Sequence, residues 1–269
     1  MTKPKTAAKQ ESSFTSFLVK LALFVLILRS FVFSPFSIPS ESMLPRLLIG
    51  DYLIVAKWPY GFTHYSIPFS PQLWSGRMFG RDPERGDVVV FKAPPNQNQD
   101  YIKRVIGLPG DLIEVRNGNV ILNGTPIPKK RIADYVEPLT DNSACKKSDA
   151  AQFREKASDG TERCRYPRFR ETLPEGRSFD VLDLGNVPAD DTQVFSVPAN
   201  HVFLMGDNRD RSADSRYPAV EGAGIGIVPT ENIIGRASFS VFSTDGSAEW
   251  LKPWTWFSAA RWRRIGEGF

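Results

Sequence analysis

Leu112-Ile-Glu-Val-Arg-Asn-Gly-Asn-Val-Ile-Leu-Asn123 is the stretch that decides the fold class. Two short runs, Leu112 to Arg116 and Asn119 to Asn123, flank Asn117-Gly118, and Asn-Gly supplies the two positive-φ positions that a two-residue hairpin turn requires. Working outward, other short apolar runs bounded by turn residues read as strands: Asp51 to Trp58 (DYLIVAKW), Asp87 to Phe91 (DVVVF) and His201 to Met205 (HVFLM). Ala237, Phe239 and Val241 alternate with Ser238 and Ser240, as the two faces of a half-buried strand should. The 21 prolines and 20 glycines also favour many short strands joined by turns. The expected fold is mainly β, with no repeat of 20 to 50 residues.

From about residue 125 to 198 the composition turns polar and proline-rich, while the flanking segments keep their strand character. That stretch reads as an insertion, and since compact domains rarely hold long structureless loops it should carry strands of its own, with partial disorder as the alternative reading. Both cysteines, Cys145 and Cys164, fall inside it. Their spacing leaves two readings open, a disulfide closing the loop in an oxidising compartment or two unpaired thiols. They have no CxxC spacing, and with only two histidines in the chain no metal site or cofactor is expected. Net charge is only +4, with basic residues scattered except at the two ends, so no nucleic-acid footprint is expected and a membrane surface explains the ends better.

The N-terminal segment, 1–16, is polar and carries Lys3, Lys5 and Lys9; residues 17–34 are apolar apart from Lys20, Arg29, Ser30 and Ser34. This length is at the short end of what crosses a bilayer, and the two charges sit near its ends, where long basic side chains snorkel to the headgroups. Arg29-Ser-Phe-Val-Phe33 offers no small-residue cleavage site, so the segment is expected to be a retained anchor. Lys3, Lys5, Lys9 and Lys20 lie before or just inside it, against Arg29 and Arg46 at its far side, and this bias is expected to keep the N-terminus in the cytoplasm and export residues 35–269. Within residues 249–269, Trp250, Trp254, Trp256 and Trp262 stand beside Lys252, Arg261, Arg263 and Arg264. Such a composition suits a membrane-interface contact, or a terminal element packing its aromatics on the β core.

Three segments carry the candidate chemistry: Ile38-Pro-Ser-Glu-Ser-Met-Leu-Pro45, Tyr101-Ile-Lys-Arg-Val-Ile-Gly-Leu-Pro-Gly-Asp111 and Gly206-Asp-Asn-Arg-Asp-Arg-Ser-Ala-Asp-Ser-Arg216. In this order behind an apolar anchor, and with Arg85-Gly-Asp-Val-Val-Val-Phe91, they closely resemble the bacterial type I signal peptidases (leader peptidases), serine enzymes with a Ser/Lys dyad. The resemblance runs through most of the chain outside the insertion. It implies a signal-peptidase-like β-sheet catalytic core, with the insertion as a β-rich extension and one N-terminal transmembrane helix in front.

Carried across residue by residue, the resemblance makes Ser42 the nucleophile and Lys103 the general base. Ser212 matches the hydroxyl that orients the lysine, and Ser40 the side-chain donor of the oxyanion hole, shared with the Ser42 backbone N–H. Arg104, Asp207, Asp214 and Arg216 match ion-pair scaffolding. Phe36, Ile38, Pro39, Met43, Tyr101 and Ile102 match the surroundings of two shallow substrate pockets. The physical chemistry agrees: serine needs a base within hydrogen-bond reach. Lysine serves as one only when neutral, which burial among residues such as Tyr101, Ile102, Val105 and Ile106 promotes. Two positions depart from the family pattern, Glu41 where glycine is frequent and Arg211 where asparagine is common.

The implied partners are secretory preproteins, cut after small residues at the first and third positions before the bond, and membrane phospholipid. Two rivals share parts of this pattern: an inactive, membrane-tethered β-domain scaffold, and a soluble-type self-cleaving Ser/Lys peptidase. A histidine-based triad would need His64 or His201, and neither sits in a triad-like segment.

Overall fold

The computed structural model describes residues 6–249 and 251–269, so Lys3, Lys5 and Trp250 lie outside the described residues. Helix α1 (Thr6–Ile27) continues through a π-helical turn, Leu28–Val32, directly into strand β1 (Phe33–Ser37). The helix therefore starts before the apolar run, where Ala7, Ala8, Lys9, Gln10 and Glu11 are good helix formers, and it ends before Phe33 and Ser34. Those two residues are strand because Phe33 pairs with Ala56 and Ser34 with Val55. Between Phe14 and Val32 the helix is long and apolar enough to cross a bilayer, and its side chains are almost all exposed.

After β1 come β2 (Asp51–Ala56), β3 (Val88–Lys92), β4 (Asp100–Gly107), β5 (Leu112–Arg116), β6 (Asn119–Leu122), β7 (Thr125–Pro126) and β8 (Lys129–Pro138). They are followed by β9 (Arg154–Lys156), β10 (Glu162–Thr172), β11 (Ser178–Leu182), β12 (Phe195–Ser196), β13 (His201–Met205), β14 (Val228–Pro229) and β15 (Ile233–Ser243), and then by a short helix α2 (Trp254–Ala259). The large sheet has the order β1-β2-β15-β3-β4-β13-β14, with every pairing antiparallel. The hairpin β5-β6 turns at Asn117 and Gly118, both with positive φ, and joins β7 and β12 in a small sheet of order β12-β5-β6-β7. Ile106, Ile113, Val115, Val120 and Phe203 form the apolar core between this sheet and the large one.

The insertion folds as a sheet of its own, β11-β10-β8 with β9 on the edge of β10. Its ends behave differently: β7 and β12 pair onto the hairpin sheet, so the separate sheet spans 129–182. Cys145 and Cys164 are joined in a disulfide and packed with Leu44, Tyr166 and Leu182.

Strand β15 corrects the expected alternation. Ala237 is buried, but a bulge between Ala237 and Phe239 shifts the register against β2, so Ser240 turns inward and Phe239 and Val241 face out. One extra residue in a strand exchanges the faces of everything beyond it. The C-terminal segment folds back on the large sheet: Arg264 binds Asp51 through both carboxylate oxygens (3.0 and 2.6 Å), and Phe269 donates its N–H to the carbonyl of Ser238. Leu251, Trp254, Trp256, Phe257 and Trp262 remain exposed on it.

Candidate active site

The Ile38–Pro45 segment leaves the end of β1 and is pinned from two sides. Met43 and Leu47 are fully buried in the core beneath β3 and β4, and Leu44 packs beside the disulfide. From the other side Asn208 donates its N–H to the Ser42 carbonyl (3.1 Å) and its amide to the Glu41 carbonyl (3.2 Å). Gly206 makes this approach possible, since a Cβ there would lie 2.3 Å from Ser212 Oγ and 2.5 Å from the Ser42 carbonyl oxygen.

Lys103 lies on β4, and its Nζ donates to Ser42 Oγ at 2.7 Å and to its neighbour's carbonyl, Ile102, at 3.0 Å. Both Ser42 and Lys103 are buried. Burial penalises the ammonium and pulls the lysine pKa down to about 8, although the carboxylates of Asp214 and Asp207 push back. The Tyr101 ring, its centroid 5.5 Å from Nζ, covers the amine on one side. Ser40 Oγ stands 3.4 Å from Ser42 Oγ, on the solvent side.

The four charged residues expected as scaffolding form two buried, two-pronged pairs. Arg104 holds Asp207 at 2.7 and 2.6 Å, and Arg216 holds Asp214 at 2.9 Å through each oxygen. The guanidinium of Arg216 and the Gly206 N–H keep the Asp214 carboxyl below its ordinary range despite its burial. Ser212 is buried across Gly206 from Ser42, but its hydroxyl meets no hydrogen-bond partner among the described residues, and Lys103 instead bonds Ser42 and the Ile102 carbonyl, so the expected orienting contact is not made.

A cleft of about 490 Å³ opens onto Ser42 and Lys103. Phe36, Ile38, Pro39, Tyr101 and Ile102 line it, whereas Met43 sits wholly in the core behind it. Its side chain anchors the serine segment instead of facing the cleft. Arg211 and Ala213 line the cleft as well. The two departures noted in the sequence meet each other here, Arg211 lying 3.6 Å from Glu41 and also pairing with Asp149 of the disulfide loop. Only the lysine and Ser40 approach the Ser42 hydroxyl among the described hydrogen bonds; His64 stacks on Tyr65, and His201 meets the Ala199 carbonyl.

Comparison with known proteins bears directly on this arrangement. The family model described as "Signal peptidase, peptidase S26" matches residues 12–242. Signal peptidase I of Rickettsia typhi is 36% identical over 252 residues, covering 90% of this chain and 83% of its own, and that of Rickettsia prowazekii is 37% identical over 245 residues, covering 88% and 81%. The chain belongs to the signal peptidase family, peptidase S26. A signal peptidase I of known structure, from Enterococcus faecalis V583, matches at 25% identity over 59% of this chain and 98% of its own, with a TM-score of 0.30. Membership makes this protein a serine endopeptidase of signal peptides with a membrane anchor, and the 12–242 match takes in Ser42, Lys103 and the 206–216 loop alike.

Sequence reasoning missed Asn208, whose backbone and side chain both fix the serine segment, although it lay inside a quoted motif. It also missed Lys57, a second buried lysine at the foot of α1, because a lone lysine at the end of an apolar strand reads as a solvated one.

Proposed function

We propose that this chain removes signal peptides from secretory preproteins with Ser42 as nucleophile and Lys103 as general base. The 2.7 Å contact between Lys103 Nζ and Ser42 Oγ in a substrate-sized cleft is the observation that carries this reading. Neutral Lys103 takes the serine proton as Oγ bonds to the scissile carbonyl carbon, and negative charge moves onto the carbonyl oxygen. The Ser40 hydroxyl and the Ser42 N–H supply the hydrogen bonds that this oxygen needs. Lys103 then returns the proton to the departing amine, and water, deprotonated by the same lysine, releases the acyl group from Ser42. Arg104–Asp207 and Arg216–Asp214 hold the strand and loop that carry the site.

The preprotein enters as an extended strand beside Phe36, Ile38 and Pro39, with Tyr101 and Ile102 opposite, and the shallow apolar walls favour small side chains. Helix α1 spans the membrane with its N-terminus in the cytoplasm, and the β domain is exported. Only eight residues separate Phe33 from Ser42, so the site stays within about 30 Å of the bilayer at roughly 3.3 Å per extended residue. Exposed Trp254, Trp256 and Trp262, beside basic residues, contact phospholipid at the interface.

The test is cleavage of a preprotein bearing an Ala-x-Ala site, in detergent, by the wild type, Ser42→Ala and Lys103→Ala. Both substitutions should lower turnover at least about 10²-fold. Near-normal cleavage by either would remove the dyad assignment.

A further inference from the structure

A second cleft, of about 910 Å³, lies between the large sheet and the sheet of the insertion. Arg104 forms part of its floor, and because neighbouring strand residues point to opposite faces, it opens on the other side of β4 from Lys103. Seven arginines line it against three lining carboxylates, Asp87, Asp180 and Glu267, while Asp207, Asp51 and Glu84 just outside the cleft also bind Arg104, Arg264 and Arg177. Each lining carboxylate is divided between two arginines. Asp87 meets Arg177 at 2.9 Å and Arg236 at 3.9 Å, Asp180 meets Arg170 at 2.7 Å and Arg168 at 3.4 Å, and Glu267 meets Arg264 at 2.8 Å and Arg46 at 3.1 Å. Arg236, Arg168 and Arg46 take the longer share of the three pairs, and Arg236 and Arg168 stand farthest from their carboxylates, so these two retain the most capacity for a further anion.

Guanidinium groups stay charged at any physiological pH, and their paired N–H donors match the oxygens of a phosphate. The position of the cleft points to where such a phosphate resides. Phe33, the first residue beyond the helical segment, pairs with Ala56, which pairs in turn with Arg236. Two strand spacings of about 4.8 Å put Arg236 on the order of 10 Å from the end of that segment, close enough for its long side chain to reach lipid headgroups.

We propose that this arginine cleft binds the phosphate of an anionic phospholipid headgroup, seating the β domain on the membrane through its charge. The phosphate chemistry stands on the cleft alone. The lipid source rests on α1 being a membrane span, as proposed above.

The experiment uses the full chain in neutral detergent, titrated with dihexanoylphosphatidylglycerol, dihexanoylphosphatidylcholine or inorganic pyrophosphate and followed by calorimetry. The wild type should bind the glycerol lipid at least tenfold more tightly than the choline lipid. Arg168→Gln/Arg170→Gln/Arg236→Gln should lose that preference while cleaving a short peptide normally, and Ser42→Ala should keep it. Should the triple variant not fold, Arg236→Gln alone is expected to weaken the binding severalfold. Variant-sensitive binding of pyrophosphate without any for the glycerol lipid would overturn the lipid source and leave a site for soluble phosphate. Absence of anion preference in the wild type, or an undiminished preference in folded variants, would overturn the proposal as a whole.

Discussion

Lys103 and Lys57 are both 4% exposed, and burial lowers the pKa of each to about 8. Their partners differ. Lys103 donates to the Ser42 hydroxyl, a group with a proton to give up, and faces a cleft. Lys57 donates to two carbonyls, those of Arg29 and Ser66, each at 2.6 Å, and so ties the π-helical turn below α1 to the loop that follows β2. A carbonyl has no proton to give, so Lys57 can only clamp, whereas the same lowered pKa at Lys103 suits the base proposed above. A depressed lysine therefore indicates chemistry only when the group it faces can react.

The contrast can be broken by substitution. Ser42→Ala should cost the most, about 10⁶-fold in kcat as for other serine peptidases that lose their nucleophile. Lys103→Met should lower kcat by about 10²–10⁴-fold, the usual contribution of a positioned base. Ser40→Ala should follow at about 10²–10³-fold, carried by kcat with KM nearly unchanged, because its hydroxyl matters most when charge reaches the carbonyl oxygen. Lys57→Met should leave peptide turnover in detergent near normal, and unfolding should show a loss of about 1–3 kcal/mol from two carbonyls deprived of their donor. Turnover by Lys57→Met as poor as by Lys103→Met would erase the distinction.

Much of the β core was legible because its signals are local. Asn117-Gly118 forces a hairpin wherever it stands between apolar runs, and Asp51 to Ala56 and His201 to Met205 are strands at nearly the expected bounds. The insertion was expected to be β-rich, but its strands could not be placed: in β10 Arg163 and Arg165 alternate with Cys164 and Tyr166, and a bulge between Tyr166 and Arg168 then shifts the phase of Arg168, Phe169 and Arg170. The bulge in β15 was invisible for a related reason: alternation in sequence assumes that pairing never slips. Within the site, Ser42 and Lys103 could be named from their motifs, whereas Met43 looked like a pocket residue until its packing under β3 and β4 placed it in the core. The arginine cleft was beyond sequence, since its charges come from segments as distant as Arg46, Arg104, Arg177 and Arg264 and meet only in the folded chain.

The most direct test is the pH dependence of kcat/KM for a short peptide in neutral detergent. The base must be neutral to accept a proton, so activity should rise with pH through a single ionisation at about 8 and level off above it. An ascent that begins only near the ordinary lysine value of about 10.4, or a profile flat from pH 6 to 10, would contradict a buried neutral Lys103 as the base.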